Sequence, residues 1–223
     1  MLGKEMYINM TYRPSIKIGE KVITEDSMPF IVAEAGVNHE NDMEKAKLMI
    51  RQAADAGADA IKFQTYKAET LASKHSPAYW DTSKEPTKRQ YELFKKYDKF
   101  GEGEYRELAK YARSHGIYFM STPFDEYAVD FLYDLVPVYK IASADITNIP
   151  FLRYVARKGK PIFLSTGAST IGEIEKAVRA IREEGNENIA LLHCILNYPT
   201  RYEDANLLMI KHLQNVFPQY IIG

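Results

Sequence analysis

Residues 161–192 read PIFLSTGASTIGEIEKAVRAIREEGNENIALL, and the order of apolar and polar residues here is the clearest indication of the fold. An apolar run from Ile162 to Leu164 is followed by a polar turn and then by a segment, Thr170 to Glu184, with apolar residues at helical spacing. Gly185 stands where that helix should end, and a second apolar run covers Ile189 to Leu192. This order predicts two strands joined by a helix, and therefore parallel pairing with a right-handed crossover.

The same unit recurs along the rest of the chain. Asn41 or Asp42 can cap a first helix, which Gly57 should end. The further predicted strands are Phe30 to Ala33, Ala60 to Phe63, Ile117 to Met120 and Val138 to Ile141. The further predicted helices are Glu104 to Ser114, Glu126 to Asp134, Pro150 to Lys158 and Tyr202 to Val216.

Strict alternation of strand and helix fits either a doubly wound sheet or a closed (β/α)8 TIM barrel. We favour the barrel, because polar residues follow nearly every strand and no G-x-G-x-x-G turn opens the first helix. Tyr220 to Gly223 opens a seventh strand, so we expect an incomplete barrel over residues 30–223, truncated at that strand. Residues 1–29 are predicted to form an N-terminal extension with a β-hairpin turning at Gly19-Glu20. Residues 67–101 depart from the repeat and are a candidate lid or specificity loop.

Composition narrows the class of protein. A formal net charge of −1 gives no basic surface for nucleic acid, and no apolar stretch reaches the length of a membrane span. The start, MLGKEMYINMTYRP, lacks the apolar core of a signal peptide. Cys194 is the only cysteine, so no disulfide can form within the chain. We therefore predict a cytoplasmic protein.

Two lysines are predicted to enter the barrel interior. In a strand over Ala60 to Phe63, alternation places Lys62 and Gln64 on one face. Lys140, two strands later, is expected to point to the same face. Two ammonium groups in one interior would repel unless an anion lies between them, so a phosphate or carboxylate ligand is the first interpretation. The alternative is that the lysines reach solvent or pair with Glu34 or Asp145.

Two short segments offer hydroxyl groups after strands. Ser165 to Ser169 has small residues whose backbone N–H groups can approach an anion, although such segments are also plain turns. Ser121 to Asp125 offers hydroxyls to a ligand, or Asp125 simply caps the next helix. Together with the lysines they predict an anion-binding cradle built from several strands.

The remaining candidates are an acid, a histidine and a cysteine. Glu34 could orient a sugar hydroxyl or exchange a proton, or could be only a counter-ion for Lys62. His39 is either a site residue or part of a turn. Adjacent strand residues point to opposite faces, so His193 and Cys194 do not form a nucleophilic pair, and Cys194 is predicted to pack in the core.

Six ordered motifs resemble the sialic acid synthase family, the phosphoenolpyruvate-dependent N-acetylneuraminate synthases and their nonulosonate relatives. They are AEAGVNHEND, ADAIKFQTY, STPFD, KIASADITNIPFL, GKPIFLSTGAS and LLHCILNYPT, and the resemblance runs from about Phe30 to Gly223. It implies a (β/α)8 barrel, usually followed by a small antifreeze-like domain in a homodimer. The family's next motif, Tyr-Ser-Asp-His, and its two metal-binding histidines would lie beyond Gly223, so no metal ligand is assigned among the residues present.

The resemblance also implies roles for single residues. It makes Glu34, Lys62 and Lys140 the catalytic residues. Leu196 departs from the family, which often has a polar residue there, and Asn197 is a candidate substitute although alternation would turn it the other way. The residues implied around phosphoenolpyruvate are Lys62, Thr122, Lys140, Ser143 and Ser165, and those implied to face the sugar are Glu34, Gln64 and Tyr198.

The implied reaction joins phosphoenolpyruvate to an N-acylmannosamine-type sugar, releases phosphate and uses a divalent metal ion, Mn²⁺ or Mg²⁺. We expect the 223-residue chain alone to be inactive or nearly so. Two alternatives stay open. One is a Schiff-base aldolase that uses Lys62 or Lys140 as the nucleophile. The other is a non-catalytic product that only binds phosphoenolpyruvate or a partner chain.

Overall fold

A computed structural model describes residues 13–223; the start of the predicted extension, residues 1–12, lies outside the described residues. The strands are β1 Ser15–Ile18, β2 Lys21–Thr24, β3 Val32–Gly36, β4 Ala60–Thr65, β5 Tyr118–Pro123, β6 Tyr139–Ile141, β7 Ile162–Ser165, β8 Ile189–Leu192 and β9 Ile221–Ile222. The helices are α1 Met43–Asp55, α2 Ala68–Leu71, α3 Gln90–Tyr97, α4 Glu102–Ser114, α5 Glu126–Leu132, α6 Ile149–Ala156, α7 Ile171–Glu183 and α8 Leu208–Val216. Within residues 13–223 no helix is both long enough and apolar enough to cross a membrane.

Seven parallel strands follow one another in chain order. β3, β4 and β5 pair in parallel, and so do β6, β7, β8 and β9, with β5 lying beside β6. The order never reverses, whereas a doubly wound sheet needs a switch point at which it does. The predicted α/β alternation is confirmed, and the strand order is that of a barrel wall.

The sheet has two apolar faces. On the outer face, helices pack against alternate strand residues such as Phe63, Ile141 and Leu164. On the inner face, Ala60 of β4 and Ala190 of β8 belong to one cluster although three strands lie between them. The ring of Phe30, just before β3, also packs against Phe163 of β7 with 6.2 Å between centroids, so the sheet curves around a common interior. We call these two sets of residues the outer face and the inner face.

The β1–β2 hairpin fills the amino-terminal end of the inner face. Ile16 and Ile18 are almost fully buried there against the first residues of the parallel strands. Gly19 has φ +57°, and the ring of Tyr118 lies so close that any side chain at Gly19 would collide with it. The Tyr118 hydroxyl accepts a hydrogen bond from Glu20 N at 2.9 Å. With this end filled, the carboxyl ends of the strands are left as the accessible end of the interior.

The first helix shows how local sequence sets its start. The Asp42 side chain caps α1 by accepting hydrogen bonds from the backbone N–H groups of Glu44 and Lys45. Asn41, the other candidate cap, has φ +64° and instead donates its side-chain amide to Lys96 O at 2.7 Å. Asparagine tolerates this left-handed conformation better than most residues. Asp42 is therefore the cap, and Asn41 ties the helix to residues 67–101.

The predicted helix over Tyr202 to Val216 is wrong in its first half. Residues Tyr202–Asp204 form a single 3-10 turn, and α8 begins only at Leu208. Asn206 between them has φ +46°, a conformation that interrupts a right-handed helix. Apolar spacing continued across this break, so periodicity alone did not reveal it.

Candidate active site

Glu34 and Lys62 lie opposite each other on β3 and β4. Their side chains form an ion pair, with 2.5 Å between Lys62 Nζ and Glu34 Oε2. Only 13% of the Lys62 side chain is exposed, against 50% for Glu34, so the lysine is the inner partner. A register shift between Glu34 and Gly36 marks a bulge at the strand end. The counter-ion alternative for Glu34 therefore describes the contact that is present.

Lys140 lies across the interior from Lys62. Its Nζ donates to the backbone oxygen of Ile141 at 3.0 Å and to the hydroxyl of Ser165. Burial first, and then the charge of Lys62, lower the pKa of Lys140 to about 8. An ammonium group has three N–H donors, so one remains for a ligand. The two lysines thus share one interior, in which the charge of Lys62 disfavours that of Lys140.

A cluster of small polar groups surrounds Lys140, and we call Ser143, Ser165, Gly167 and Cys194 the hydroxyl–thiol cluster. Ser165 is 2% exposed, and its oxygen accepts from Lys140 and, at 3.2 Å, from the Cys194 thiol. Ser143 accepts from Gly167 N at 2.9 Å. A methyl group on Gly167 would lie 2.9 Å from Ser143 Oγ and 3.1 Å from the Cys194 carbonyl oxygen. Three chain segments therefore meet around one point.

The prediction that Cys194 packs in the core is wrong. It assumed that the sixth parallel strand continues through Cys194, but β8 ends at Leu192. Beyond that residue the alternation of a strand no longer applies, and the thiol turns to Ser165. The adjacent His193 turns elsewhere, with Nε2 2.8 Å from the carbonyl oxygen of Ala205.

The segment Ser121 to Asp125 divides between two roles. Thr122 is buried and pairs in register with Gln64. It lies two residues after Met120 on β5, so both residues are on the inner face. Ser121 falls on the outer alternation, where its hydroxyl lies 2.6 Å from Thr65 Oγ1 beneath the helices. The Asp125 side chain accepts from Ala128 N and caps α5. Only Thr122 of this segment is thus placed to meet a ligand in the interior.

Tyr198 and Asn197 lie in the loop after β8. Tyr198 is exposed, and its pKa is raised first by partial desolvation and then by electrostatic interaction with Cys194 and Glu34. Asn197 and Leu196 are exposed as well. Because this loop is not a strand, Asn197 and Leu196 need not point in opposite directions, as they would in a strand. Either residue can turn to the rim without disturbing a strand.

His39 is not at the rim. It is fully buried and stacks on Phe100 with 4.3 Å between ring centroids, close to the outer-face residue Phe63. Its Nδ1 accepts from Asn41 N at 3.1 Å, and burial lowers the pKa of His39 to about 4. This is a neutral histidine packed in the helix layer, and of the two alternatives for His39 the turn describes it.

Asp145 lies beside the candidate site, where the sequence suggests only a counter-ion for a lysine. It lies in the 3-10 turn that follows Ser143, and its Oδ2 is buried without a hydrogen-bond partner among the described residues. Burial raises the pKa of Asp145 to about 6, while the charge of Lys140 acts in the opposite direction. The signal was available in the sequence, because an acid two residues after a site serine follows the same strand end.

Residues 67–101 follow β4 and therefore leave from the accessible end of the interior. Their base is anchored by Lys67, whose Nζ donates to the backbone oxygens of Asp98 and Phe100. Tyr79, further along, lies near enough to influence the pKa of Tyr198. The segment thus reaches toward Tyr198, and its role as a lid or specificity loop stays a prediction.

The interior fits an anion and does not fit a divalent cation. Among residues 13–223 there is no group of three or more histidine, cysteine, aspartate or glutamate side chains placed to hold a metal ion. Two ammonium groups line the interior, and the carboxylate of Glu34 is paired with Lys62. A metal ion would be repelled by both lysines, so we derive no step through one.

Sequence and structure comparisons agree on the relatives of this chain. A sequence model of the NeuB family matches residues 49–223. The N,N'-diacetyllegionaminic acid synthase of Legionella pneumophila is 42% identical over 195 residues, and the N-acetylneuraminate-9-phosphate synthase of Homo sapiens is 37% identical over 195 residues. These alignments cover 84% and 87% of this chain but only 54% of each relative, so the chain spans about half the length of either.

A solved structure shows the same fold. The N-acetylneuraminic acid synthetase of Leptospira borgpetersenii, crystallised in complex with citrate, superimposes with a TM-score of 0.84 at 36% sequence identity. The match covers 95% of this chain and 69% of that one. The family match extends over far more than half of the 223 residues, and the relatives share well over 30% of the aligned positions. The chain belongs to the NeuB family.

Proposed function

We propose that this chain binds phosphoenolpyruvate at the accessible end of its interior, as the donor site of a nonulosonate synthase. One observation carries the proposal: the ammonium groups of Lys62 and Lys140 share an interior close enough for Lys62 to lower the pKa of Lys140. Phosphoenolpyruvate has two anionic groups, a phosphate and a carboxylate. A ligand with two negative ends relieves the repulsion between two buried cations, and each end gains a charge-assisted hydrogen bond.

The surrounding groups support a division of labour between the two lysines. Lys140 already donates to Ser165, so an anion near its remaining N–H also meets that hydroxyl and the cluster around Gly167. Lys62 lies on the strand next to Thr122, whose hydroxyl is buried. One end of the ligand would therefore bind at Lys140 and the other at Lys62, with the reacting carbon between them.

The proposed reaction joins carbon 3 of phosphoenolpyruvate to the aldehyde carbon of an open-chain N-acylmannosamine-type sugar. Water adds at carbon 2, and phosphate leaves with cleavage of the C–O bond. Glu34 adjoins Lys62, so its carboxylate is placed to orient a sugar hydroxyl or to exchange a proton with the acceptor. Gln64, on the same strand, and the exposed Tyr198 would line the acceptor side.

The relatives support the class of reaction, because those with an assigned activity in their names are synthases of such acids. The sugar accepted by this chain, the divalent ion and a homodimer stay proposals, as does a cytoplasmic location. We further propose that the 223-residue chain binds phosphoenolpyruvate without appreciable turnover. The described residues supply an anion site but no group that fits the divalent ion implied by the resemblance.

Calorimetric titration of the chain with phosphoenolpyruvate tests the donor site. Lys140→Met and Lys62→Met should each weaken binding at least about tenfold, because each removes a charge-assisted hydrogen bond. Lys176→Met, on the exposed face of α7, is the matched control and should leave binding unchanged. Pyruvate and inorganic phosphate, titrated separately, should bind more weakly than the ligand that carries both groups. Equal binding by all three lysine variants would refute the proposal.

Turnover is measured separately, as phosphate released from phosphoenolpyruvate and N-acetylmannosamine with manganese present. Binding without release would fit the proposal for this chain. Release at a rate comparable to that of full-length relatives would refute the statement that the chain alone is inactive, while leaving the synthase assignment intact.

One observation favours a second candidate, the Schiff-base aldolase. With its pKa lowered to about 8, Lys140 carries a neutral and nucleophilic amine in roughly one molecule in ten at pH 7. The same Nζ is held by Ser165 and by the Ile141 carbonyl, which is the arrangement of a donor. Treatment with pyruvate and borohydride, followed by peptide mass spectrometry, separates the two. An adduct on Lys140 would establish the aldolase.

A further inference from the structure

Ser165 is held from two sides before any ligand arrives. Its oxygen accepts one hydrogen bond from Lys140 Nζ and another, at 3.2 Å, from Cys194 Sγ. A serine hydroxyl has two acceptor lone pairs and one donor hydrogen. With both lone pairs occupied, the hydrogen can take part only as a donor. A hydroxyl constrained in this way is suited to an anion.

Cys194 is also held in place on its other side. Its Cβ lies 3.3 Å and its carbonyl oxygen 3.1 Å from the position that a methyl group on Gly167 would occupy. Gly167 in turn donates its N–H to Ser143. The thiol therefore reaches Ser165 from a backbone that is packed against the rest of the hydroxyl–thiol cluster.

We infer that Cys194 is a positioning residue for the donor site: its thiol orients the hydroxyl of Ser165 so that this hydroxyl donates to the bound anion. The inference rests on the proposed function, because the anion is phosphoenolpyruvate. Cys194 does not itself contact the ligand in this account, and no covalent step involves it. Without the thiol, Ser165 can rotate and spend part of its time with its hydrogen directed elsewhere.

Three substitutions separate donation from bulk. Cys194→Val keeps a side chain of similar size but cannot donate, and Cys194→Ala leaves space and cannot donate. Cys194→Ser keeps a donor at the same position. We expect valine and alanine to weaken phosphoenolpyruvate binding by about three- to tenfold, the usual value of one hydrogen bond, and serine to restore it to within about twofold of the wild type.

A double-mutant cycle with Ser165→Ala distinguishes positioning of the Ser165 hydroxyl from a purely structural role of Cys194. If Cys194 acts through the hydroxyl of Ser165, then Cys194→Val should change affinity by less than about twofold once that hydroxyl is gone. If Cys194 merely supports the loop, the same loss should appear with and without Ser165. Circular dichroism and the thermal midpoint of each variant establish that it is folded.

The outcomes also separate this inference from the proposed function. A wild-type chain that fails to bind phosphoenolpyruvate would overturn both. A wild-type chain that binds it, together with a Cys194→Val variant that binds equally well, would overturn the positioning role alone. So would a loss in Cys194→Val that serine does not restore, or one that persists undiminished in the Ser165→Ala background.

Discussion

Replacing Lys140 by methionine should weaken ligand binding and yet stabilise the empty protein at neutral pH. Burial lowers the pKa of Lys140 from 10.5 to about 8, so its charged form is disfavoured in the folded state relative to the unfolded chain. That change corresponds to a cost of about 3 kcal/mol at pH 7. Methionine removes the charge while keeping a side chain of similar length.

The gain is offset by two lost hydrogen bonds, to Ser165 and to the Ile141 carbonyl, at about 1 kcal/mol each. The net stabilisation expected for Lys140→Met at pH 7 is therefore about 1 kcal/mol. Between pH 8 and 10.5 the unfolded chain keeps the Lys140 proton, whereas the folded chain loses it. Because the unfolded state binds more protons, the stability of the wild type rises with pH over this range. The variant lacks this gain, and its advantage should disappear and then reverse by about pH 10.

Urea unfolding at pH 7, 8.5 and 10, in buffers free of phosphate and sulfate, measures the difference. Comparing wild type and variant at each pH removes the contribution of the tyrosines, which titrate in both. Lys176→Met is the control and should stay within about 0.5 kcal/mol of the wild type at every pH. A variant that is strongly destabilised at pH 7, with a difference that does not depend on pH, would show that the ammonium group of Lys140 is not under strain in the empty protein.

Three further predictions follow from other contacts. Glu34→Gln removes the negative charge beside Lys62, so phosphoenolpyruvate should bind about three- to tenfold more tightly, and weaker binding would contradict the anion site. Gly167→Ala puts a methyl group 2.9 Å from Ser143 Oγ and should weaken phosphoenolpyruvate binding about tenfold. Gly172→Ala is the control, because nothing lies within 4 Å of the added methyl group, and should leave that affinity unchanged. Calorimetric titration of both variants tests this difference. Burial lowers the pKa of His39 from 6.5 to about 4, so the unfolded chain binds more protons between these values and stability falls as the pH falls through them. His39→Phe should remove about 3 kcal/mol of that acid-induced loss, and an unchanged pH profile of urea unfolding would show that His39 is not the group responsible.

The face that each strand residue occupies was predictable wherever a strand is regular. Phe63 between Lys62 and Gln64 already implies that the carboxyl end of β4 is apolar outside and polar inside, because side chains alternate along a strand. The same argument failed at Cys194, since the sequence does not mark the end of β8 at Leu192. Whether a strand continues depends on hydrogen bonds to its neighbours, which are contacts distant in sequence.

Single residues in the sequence were sufficient to predict where helices end. They were not sufficient to predict how deeply single polar side chains are buried. Gly57 and Gly185 end helices with φ +82° and +81°, as their positions suggested. For His39 and Asp145 the sequence left alternatives open, because burial, and not spacing, decides what each of them does. Burial depends on which helix covers a strand end, and short-range patterns carry little information about it.

The separation of the inner and outer faces should appear as a pattern of tolerance to substitution in large mutational libraries. Even-numbered positions of β4, β5, β6 and β8 turn inward, and on β7 the odd-numbered ones do, as Phe163 and Ser165 show. At the carboxyl ends of the strands, neighbouring codons are thus under different selection, one for ligand and one for folding. In a library scored for both traits, tolerance should alternate from codon to codon along each strand, with β7 opposite in phase to β4, β5, β6 and β8. An engineer seeking a new acceptor could vary one phase and leave the other untouched.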